Sequence, residues 1–140
     1  MEEATGAYDE VVARFGDATE PTVREQVAKA LVNKGAALSD LGRVEEAAGA
    51  YDQVEARFGD ATEPAARQLV AMALVGKGTV LGGLGRSEEA AAVYDQVVAR
   101  FGGTTEPAVR EQVAIALRMK SEIKSGQRRV FFIKRRKRPS

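Results

Sequence analysis

The segment LGRVEEAAGAYD, residues 41–52, recurs as LGRSEEAAAVYD at residues 84–95. Each copy contains a glycine, Gly42 or Gly85, that tolerates the left-handed conformation in which many helices end. Two glutamates follow shortly after, where the positive end of a helix dipole favours negative charge. Each copy therefore predicts a helix that ends at the glycine, a short turn and a second helix.

This segment belongs to a larger repeat with a period of 43 residues. The period is marked by Tyr8, Tyr51 and Tyr94, by Phe15, Phe58 and Phe101, and by Pro21, Pro64 and Pro107. Alignment of residues 7–49 with residues 50–92 gives 29 identities in 43 positions. Such self-similarity is typical of repeat arrays, in which neighbouring units bury a shared core.

One repeat contains a long helix and a short helix. The long helix is predicted over residues 21–41, because apolar residues recur there at three- and four-residue multiples. Thr19 is expected to cap its start, and Pro21 suits the first helical turn, where no amide partner is needed. The short helix is predicted over residues 44–58.

The chain begins and ends out of phase with this cycle. Residues 1–15 form a short helix without a preceding long helix, and residues 107–124 form a long helix without a following short one. The predicted array therefore covers residues 1–124 as a half repeat, two full repeats and a half repeat. Both of its ends expose faces that the repeat normally covers, and residues 125–140 form a separate basic tail.

The helix–turn–helix unit resembles the tetratricopeptide repeat, which has small and large residues at fixed offsets over about 34 residues. The matching residues are Leu31, Gly35, Leu38, Gly42, Ala47, Tyr51 and Val54, followed by Leu74, Gly78, Leu81, Gly85, Ala90, Tyr94 and Val97. The resemblance implies an all-α fold, an antiparallel helix-hairpin solenoid wound as a right-handed superhelix. It also implies close helix approach at Gly35 and Ala47, with Tyr51 filling the space between hairpins. The longer period is assigned to extra turns at the start of the long helix.

The same resemblance implies a groove, lined by the long helices, that binds an extended peptide or a helix of a protein partner. Its candidate residues are Lys29, Val32, Asn33, Ala36, Asp40, Met72, Val75, Gly76, Thr79 and Gly83. A clamp for two carboxylates, which some members of the family use, is not predicted because only Lys29 and Asn33 fit it. The first functional hypothesis is therefore a non-enzymatic scaffold for protein–protein interaction.

Three glycines of the second long helix have no evident packing role in the sequence. Gly76, Gly82 and Gly83 lie within the predicted helix, where each costs about 1 kcal/mol relative to alanine. Together with Thr79 they form a smooth strip that another backbone can approach closely. Two explanations stay open: a docking strip for a helix, including one from a second copy of this chain, or drift in a loosely selected helix.

The composition argues against an enzyme. The chain has no cysteine and no histidine, which removes thiol chemistry, imidazole catalysis and the common zinc ligand sets. Its carboxylates fall on solvated helix faces, where no base, nucleophile or metal set converges with them. We predict no metal, no cofactor and no small-molecule substrate. The lack of a long apolar run or a signal peptide predicts a cytoplasmic protein.

Charge divides the chain near its C-terminal end. Residues 1–117 carry 11 Lys and Arg against 19 Asp and Glu, giving −8, whereas residues 118–140 carry 10 against 1, giving +9. The basic residues of the tail are Arg128, Arg129, Lys134, Arg135, Arg136, Lys137 and Arg138. Binding to nucleic acid or anionic lipid, contact with the acidic body, and a disordered end that is not native to the array all stay open.

Self-association is the second functional hypothesis. The unpaired short helix at one end and the unpaired long helix at the other can complete each other between copies. Reciprocal exchange predicts a symmetric dimer, and head-to-tail stacking predicts an open fibre unless its geometry closes.

Overall fold

The computed structural model describes the backbone of residues 2–137 and the side chains of residues 5–125. Within this range the chain forms six α-helices and no β-strand: α1 (Glu2–Phe15), α2 (Pro21–Asp40), α3 (Val44–Phe58), α4 (Pro64–Gly83), α5 (Ser87–Phe101) and α6 (Pro107–Lys137). In the first full repeat the predicted bounds agree with the observed ones to within one residue. Helix α6 continues past its predicted end near residue 124, because the next proline is Pro139 and a single glycine does not end a helix.

The helices alternate between two layers. Each helix packs against the next one in the chain, and the long helices α2, α4 and α6 also pack side by side. Among the described residues, the short helices α1, α3 and α5 contact long helices and not one another. This arrangement is a stack of antiparallel helical hairpins, which confirms the predicted all-α solenoid.

The long helices begin at prolines. Glu20 and Glu63, the N-cap residues of α2 and α4, have extended backbones (φ −68°, ψ 131° and φ −65°, ψ 136°), as expected for the residue before a proline. The prediction that Thr19 caps α2 is wrong, because the N-cap residue is Glu20 and no side chain bonds the free amides of the first turn. Proline in the first turn already lacks one of the amides that a cap would satisfy.

The turns after α2 and α4 are identical in design. Gly42 and Gly85 have φ of 79° and 80°, which confirms the predicted left-handed conformation. The amide of Arg43 donates to Leu38 O at 2.8 Å, and that of Gly42 donates to Ser39 O at 3.0 Å. These are the two bonds of a Schellman motif, which satisfies the last carbonyls of the helix and reverses the chain. The turn therefore sets the geometry of each hairpin.

A single apolar core runs through the stack. Its largest fully buried side chains are Tyr94, Phe101, Leu31, Leu38, Val27, Val54, Val70, Val97 and Val109. Most of them lie where a long helix and a short helix face each other. The core is continuous because α4 contributes residues to both full repeats. Stability in such a stack comes from each helix and its interfaces with its neighbours.

Candidate binding grooves

The tyrosine of α3, Tyr51, lies between two consecutive long helices. A Cβ added to Gly35 of α2 would lie 2.5 Å from Cε1 of Tyr51, and one added to Gly76 of α4 would lie 2.6 Å from its Cζ. The ring thus occupies the space between α2 and α4, as the family resemblance implied. Real Cβ atoms do not approach a ring carbon so closely, so both glycines give the ring its room.

This contact corrects the interpretation of Gly76. The sequence suggested no packing role for it, but Tyr51 reaches it from the preceding hairpin. Gly82 and Gly83 differ, since an added Cβ would be 4.0 Å from Ala90 Cβ at Gly82 and would meet nothing within 4 Å at Gly83. The proposed smooth strip therefore consists of residues in unlike environments.

Tyr94 forms the corresponding contact in the next repeat. A Cβ on Gly78 would lie 2.5 Å from Tyr94 Cε1. The Thr79 hydroxyl donates to Val75 O at 3.0 Å, so its oxygen accepts a hydrogen bond from Tyr94 Oη at 3.1 Å. Burial raises the pKa of Tyr94, an effect that the bond to Thr79 opposes and the charge of Glu122 adds to. Thr79, a predicted partner-binding residue, is thus engaged within the fold.

A shallow groove separates α2 from α4 on the face formed by the long helices; we call it the inter-repeat groove. It encloses about 310 Å³ and is lined by Glu25, Lys29, Val32, Asn33, Ala65, Gln68, Leu69 and Met72. Lys29 and Asn33 are exposed at its edge, Met72 is half-buried and Leu69 is buried. The groove therefore has an apolar base and a polar rim.

The structure brings four of the ten predicted groove residues together here: Lys29, Val32, Asn33 and Met72. Ala36, Asp40 and Gly83 are exposed elsewhere on α2 and α4, whereas Val75 is buried between helices. The side chains of the basic residues at 128–138 lie outside the described residues.

A second and larger groove lies between α1 and α2; we call it the terminal groove. It encloses about 520 Å³ and is lined by Tyr8, Val11, Phe15, Thr22, Val23, Gln26, Lys29, Ala30 and Asn33. The sequence indicated that α1 has an unpaired face but named no groove there. Tyr8, Val11 and Phe15 lie one repeat period before the buried residues Tyr51, Val54 and Phe58. Alignment of the repeats could therefore have identified these groove residues.

Ion pairs recur between each short helix and the next long helix. Lys34 Nζ lies 2.5 Å from Asp9 Oδ1, Lys77 Nζ lies 2.6 Å from Asp52 Oδ1, and Lys120 pairs with Asp95 in the same way. The Asp side chains are more than half exposed, so each pair contributes at most about 1 kcal/mol. The pairs recur at the same position in each repeat, and these three pairs do not involve residues that line the inter-repeat groove.

Alternating long and short antiparallel helices, a glycine turn inside each hairpin and a tyrosine between hairpins define a helical-hairpin solenoid. A family model described as tetratricopeptide repeat matches residues 2–62 and 33–104, well over half of the chain. The chain belongs to the tetratricopeptide repeat family, whose repeats generally mediate protein–protein interaction. Comparison with curated proteins gave no match, and neither did comparison with solved structures. No helix in the described range is long and apolar enough to cross a membrane.

Proposed function

We propose that the chain is a non-enzymatic scaffold that binds a helix or an extended peptide of a protein partner in the inter-repeat groove. The observation that supports this function is the composition of the groove, with Leu69 and Met72 at its base and exposed Lys29 and Asn33 at its edge. Peptide-binding grooves of helical proteins combine apolar anchor sites with a few polar groups that fix orientation.

The chemistry of the groove defines the kind of peptide. An apolar side chain of the partner packs on Met72, whose unbranched thioether adapts to different shapes. The Lys29 ammonium binds a carboxylate or backbone carbonyl of the same peptide, and the Asn33 amide both donates and accepts. The partner is therefore a segment with an apolar anchor and a neighbouring acidic group.

The test is a fluorescence-anisotropy titration with a panel of labelled 15-residue peptides, amphipathic or extended, each with an apolar anchor beside acidic residues. We expect members of the panel to bind with micromolar dissociation constants and to lose about tenfold in affinity with Met72→Lys. The variant should fold, since Lys29 occupies the equivalent position of α2, 43 residues earlier.

The matched control is Gln53→Lys, which adds the same charge at an exposed position of α3, away from the groove. Peptides whose affinity is unchanged by Met72→Lys contradict the proposed site. A panel in which nothing binds at millimolar concentration contradicts the proposed function.

The basic tail supplies no second function from the structure, because the side chains of residues 126–140 lie outside the described residues. Binding of nucleic acid or anionic membrane there stays a prediction, as does the cytoplasmic location.

A further inference from the structure

The residues that line the terminal groove correspond to residues that are covered by a long helix inside the array. Its residues on α1, Tyr8, Val11 and Phe15, are the counterparts of Tyr51, Val54 and Phe58, all of which are buried. Its residues on α2 include Val23, Gln26 and Ala30, the counterparts of Ala66, Leu69 and Ala73, which are buried as well. In the interior, helix α2 itself packs against both α3 and α4 and covers those counterparts.

A long helix with a matching uncovered face lies at the other end of the described chain. Residues 107–120 of α6 are identical to residues 21–34 of α2 at 10 of 14 positions. Leu117 of α6 is 51% exposed, whereas its counterparts Leu31 and Leu74 are 1% and 2% exposed. They lie on α2 and α4, each of which is packed against by a following short helix and a following long helix. The large apolar residues exposed in the described range are Leu117 and Phe15, which is 46% exposed.

We propose that the terminal groove binds residues 107–124 of α6 from a second copy of this chain. The docked helix takes the place that α2 has between α3 and α4, so Leu117 is covered by α1 of the second copy. Phe15 and Leu117, the exposed residues of the two surfaces, become buried in one junction.

Two interactions between neighbouring repeats of the array predict further contacts in the junction. Arg24 stacks over Phe58 and Arg67 over Phe101, each 5.3 Å from the ring centroid. The next arginine of this series is Arg110 of α6, and the preceding ring is Phe15, so the junction pairs Arg110 with Phe15 of the second copy. Arg67 Nε also lies 3.5 Å from Glu106 Oε1, and the same register places Arg110 of the docked helix beside Glu20.

Three substitutions make the junction weaker than an interior interface. Arg118, Ser121 and Lys124 of α6 replace Val32, Gly35 and Leu38 of α2. Ser121 brings a Cβ to the position where Gly35 makes room for a tyrosine ring, so Tyr8 has to shift on docking. The arginine and lysine bring charge where the repeat has apolar residues. We therefore expect association at about 100 μM rather than at nanomolar concentration.

The junction joins unlike surfaces, so it leaves one groove and one helix face open on each pair. Association of this kind is head to tail and continues beyond a dimer. Sedimentation equilibrium of the full chain from 10 μM to 1 mM (on the order of the expected constant) measures it. The weight-average mass is expected to rise from the 15.0 kDa of the monomer past that of a dimer, and a constant monomer mass at 1 mM overturns the proposal.

Complementing variants test the surfaces themselves. Phe15→Lys disrupts the terminal groove and leaves α6 unchanged, whereas Leu117→Lys disrupts the binding face of α6 and leaves the groove unchanged. Both residues are exposed, so both variants should fold, and circular dichroism checks this. Each variant alone is expected to be a monomer, and their equimolar mixture is expected to stop at a dimer. Gln53→Lys is the control and should associate like the parent chain.

Association of either variant alone at the parental level overturns the proposal, as does a mixture that stays monomeric. Arg110→Glu is a further exposed variant that removes the contact with Phe15 and reverses the charge facing Glu20; it should weaken association about tenfold. An unchanged constant contradicts the proposed register. Met72→Lys should leave association unchanged, which separates this junction from peptide binding in the inter-repeat groove.

Discussion

The Tyr94 ring lies so close to Gly78 that a Cβ added to the glycine would be 2.5 Å from Cε1 of the ring. The ring is fully buried, so it has little space into which it can move. This contact sets how closely α4 and α5 approach each other, and Gly35 and Tyr51 repeat it between α2 and α3.

Gly78→Ala should destabilise the protein by about 1–3 kcal/mol, because overpacking a close-packed contact forces side chains off their preferred rotamers. The matched control is Gly83→Ala on the same helix, where the added methyl group meets no atom within 4 Å. That change should raise stability by up to about 1 kcal/mol through helix propensity. Urea denaturation measures both, and equal effects of the two alanines would contradict the packing role of Gly78.

Thr79 and Tyr94 should be energetically coupled through the hydrogen bond between their hydroxyl groups, 3.1 Å apart. A double-mutant cycle of Thr79→Val and Tyr94→Phe is expected to give a coupling free energy of unfolding of about 1 kcal/mol. Additive effects would show that the bond contributes nothing. Thr79 is also a predicted partner-binding residue, so the peptide affinity of Thr79→Val shows whether it contacts the partner as well as Tyr94.

Stability should fall as the pH rises above about 10. Burial raises the pKa of both Tyr51 and Tyr94 above 10.0, with the charge of Asp40 adding to the effect at Tyr51. The unfolded tyrosines lose their protons first, so the stabilisation is fully present below pH 10 and is lost as the pH rises toward the folded-state values. The measurement compares urea denaturation of the parent chain and of Tyr51→Phe/Tyr94→Phe at pH 9 and 11, which isolates the contribution of the two tyrosines. The parent should lose more stability between the two pH values, and equal losses would contradict the prediction.

Restoring the repeat residues in α6 should strengthen self-association. Arg118→Val, Ser121→Gly and Lys124→Leu recreate the side chains of Val75, Gly78 and Leu81 of α4. Burial of two apolar side chains and relief of the contact with Tyr8 are together worth about 3 kcal/mol, or about 100-fold in the association constant. Sedimentation equilibrium measures the gain. Adding Phe15→Lys should abolish it, and a gain that survives this change would place the new contact outside the terminal groove.

The repeat period predicted the helices and their turns because those features depend on residues that are near in sequence. Pro21 and Gly42 act locally, through a restricted φ and a left-handed turn, so their positions alone predicted where α2 begins and where its turn lies. The role of Gly76 was not predictable in this way, because its partner Tyr51 is reached only when two hairpins are stacked.

The residues of the grooves were predictable only in part, because the sequence does not show how neighbouring helices cross. The family resemblance named Lys29, Val32, Asn33 and Met72, which the structure brings into one groove. It could not separate Val75, which faces a neighbouring helix, since the face that a helix buries depends on the angle at which it crosses the next one. Comparing each residue with its counterpart one period away finds the terminal groove, because that test asks which normally buried positions lack a cover.

Among the described helices α1 packs against α2 alone, and this affects how the molecule unfolds. In a chain of nearest-neighbour interfaces, an end unit with one interface opens without disturbing the others. Amide hydrogens of α1 should therefore exchange faster than those of α4, which packs against four helices in the described range. We therefore expect the array to unfold progressively from α1 toward the interior and not in one cooperative step. Amide exchange rates resolved along the chain measure the order in which the helices unfold.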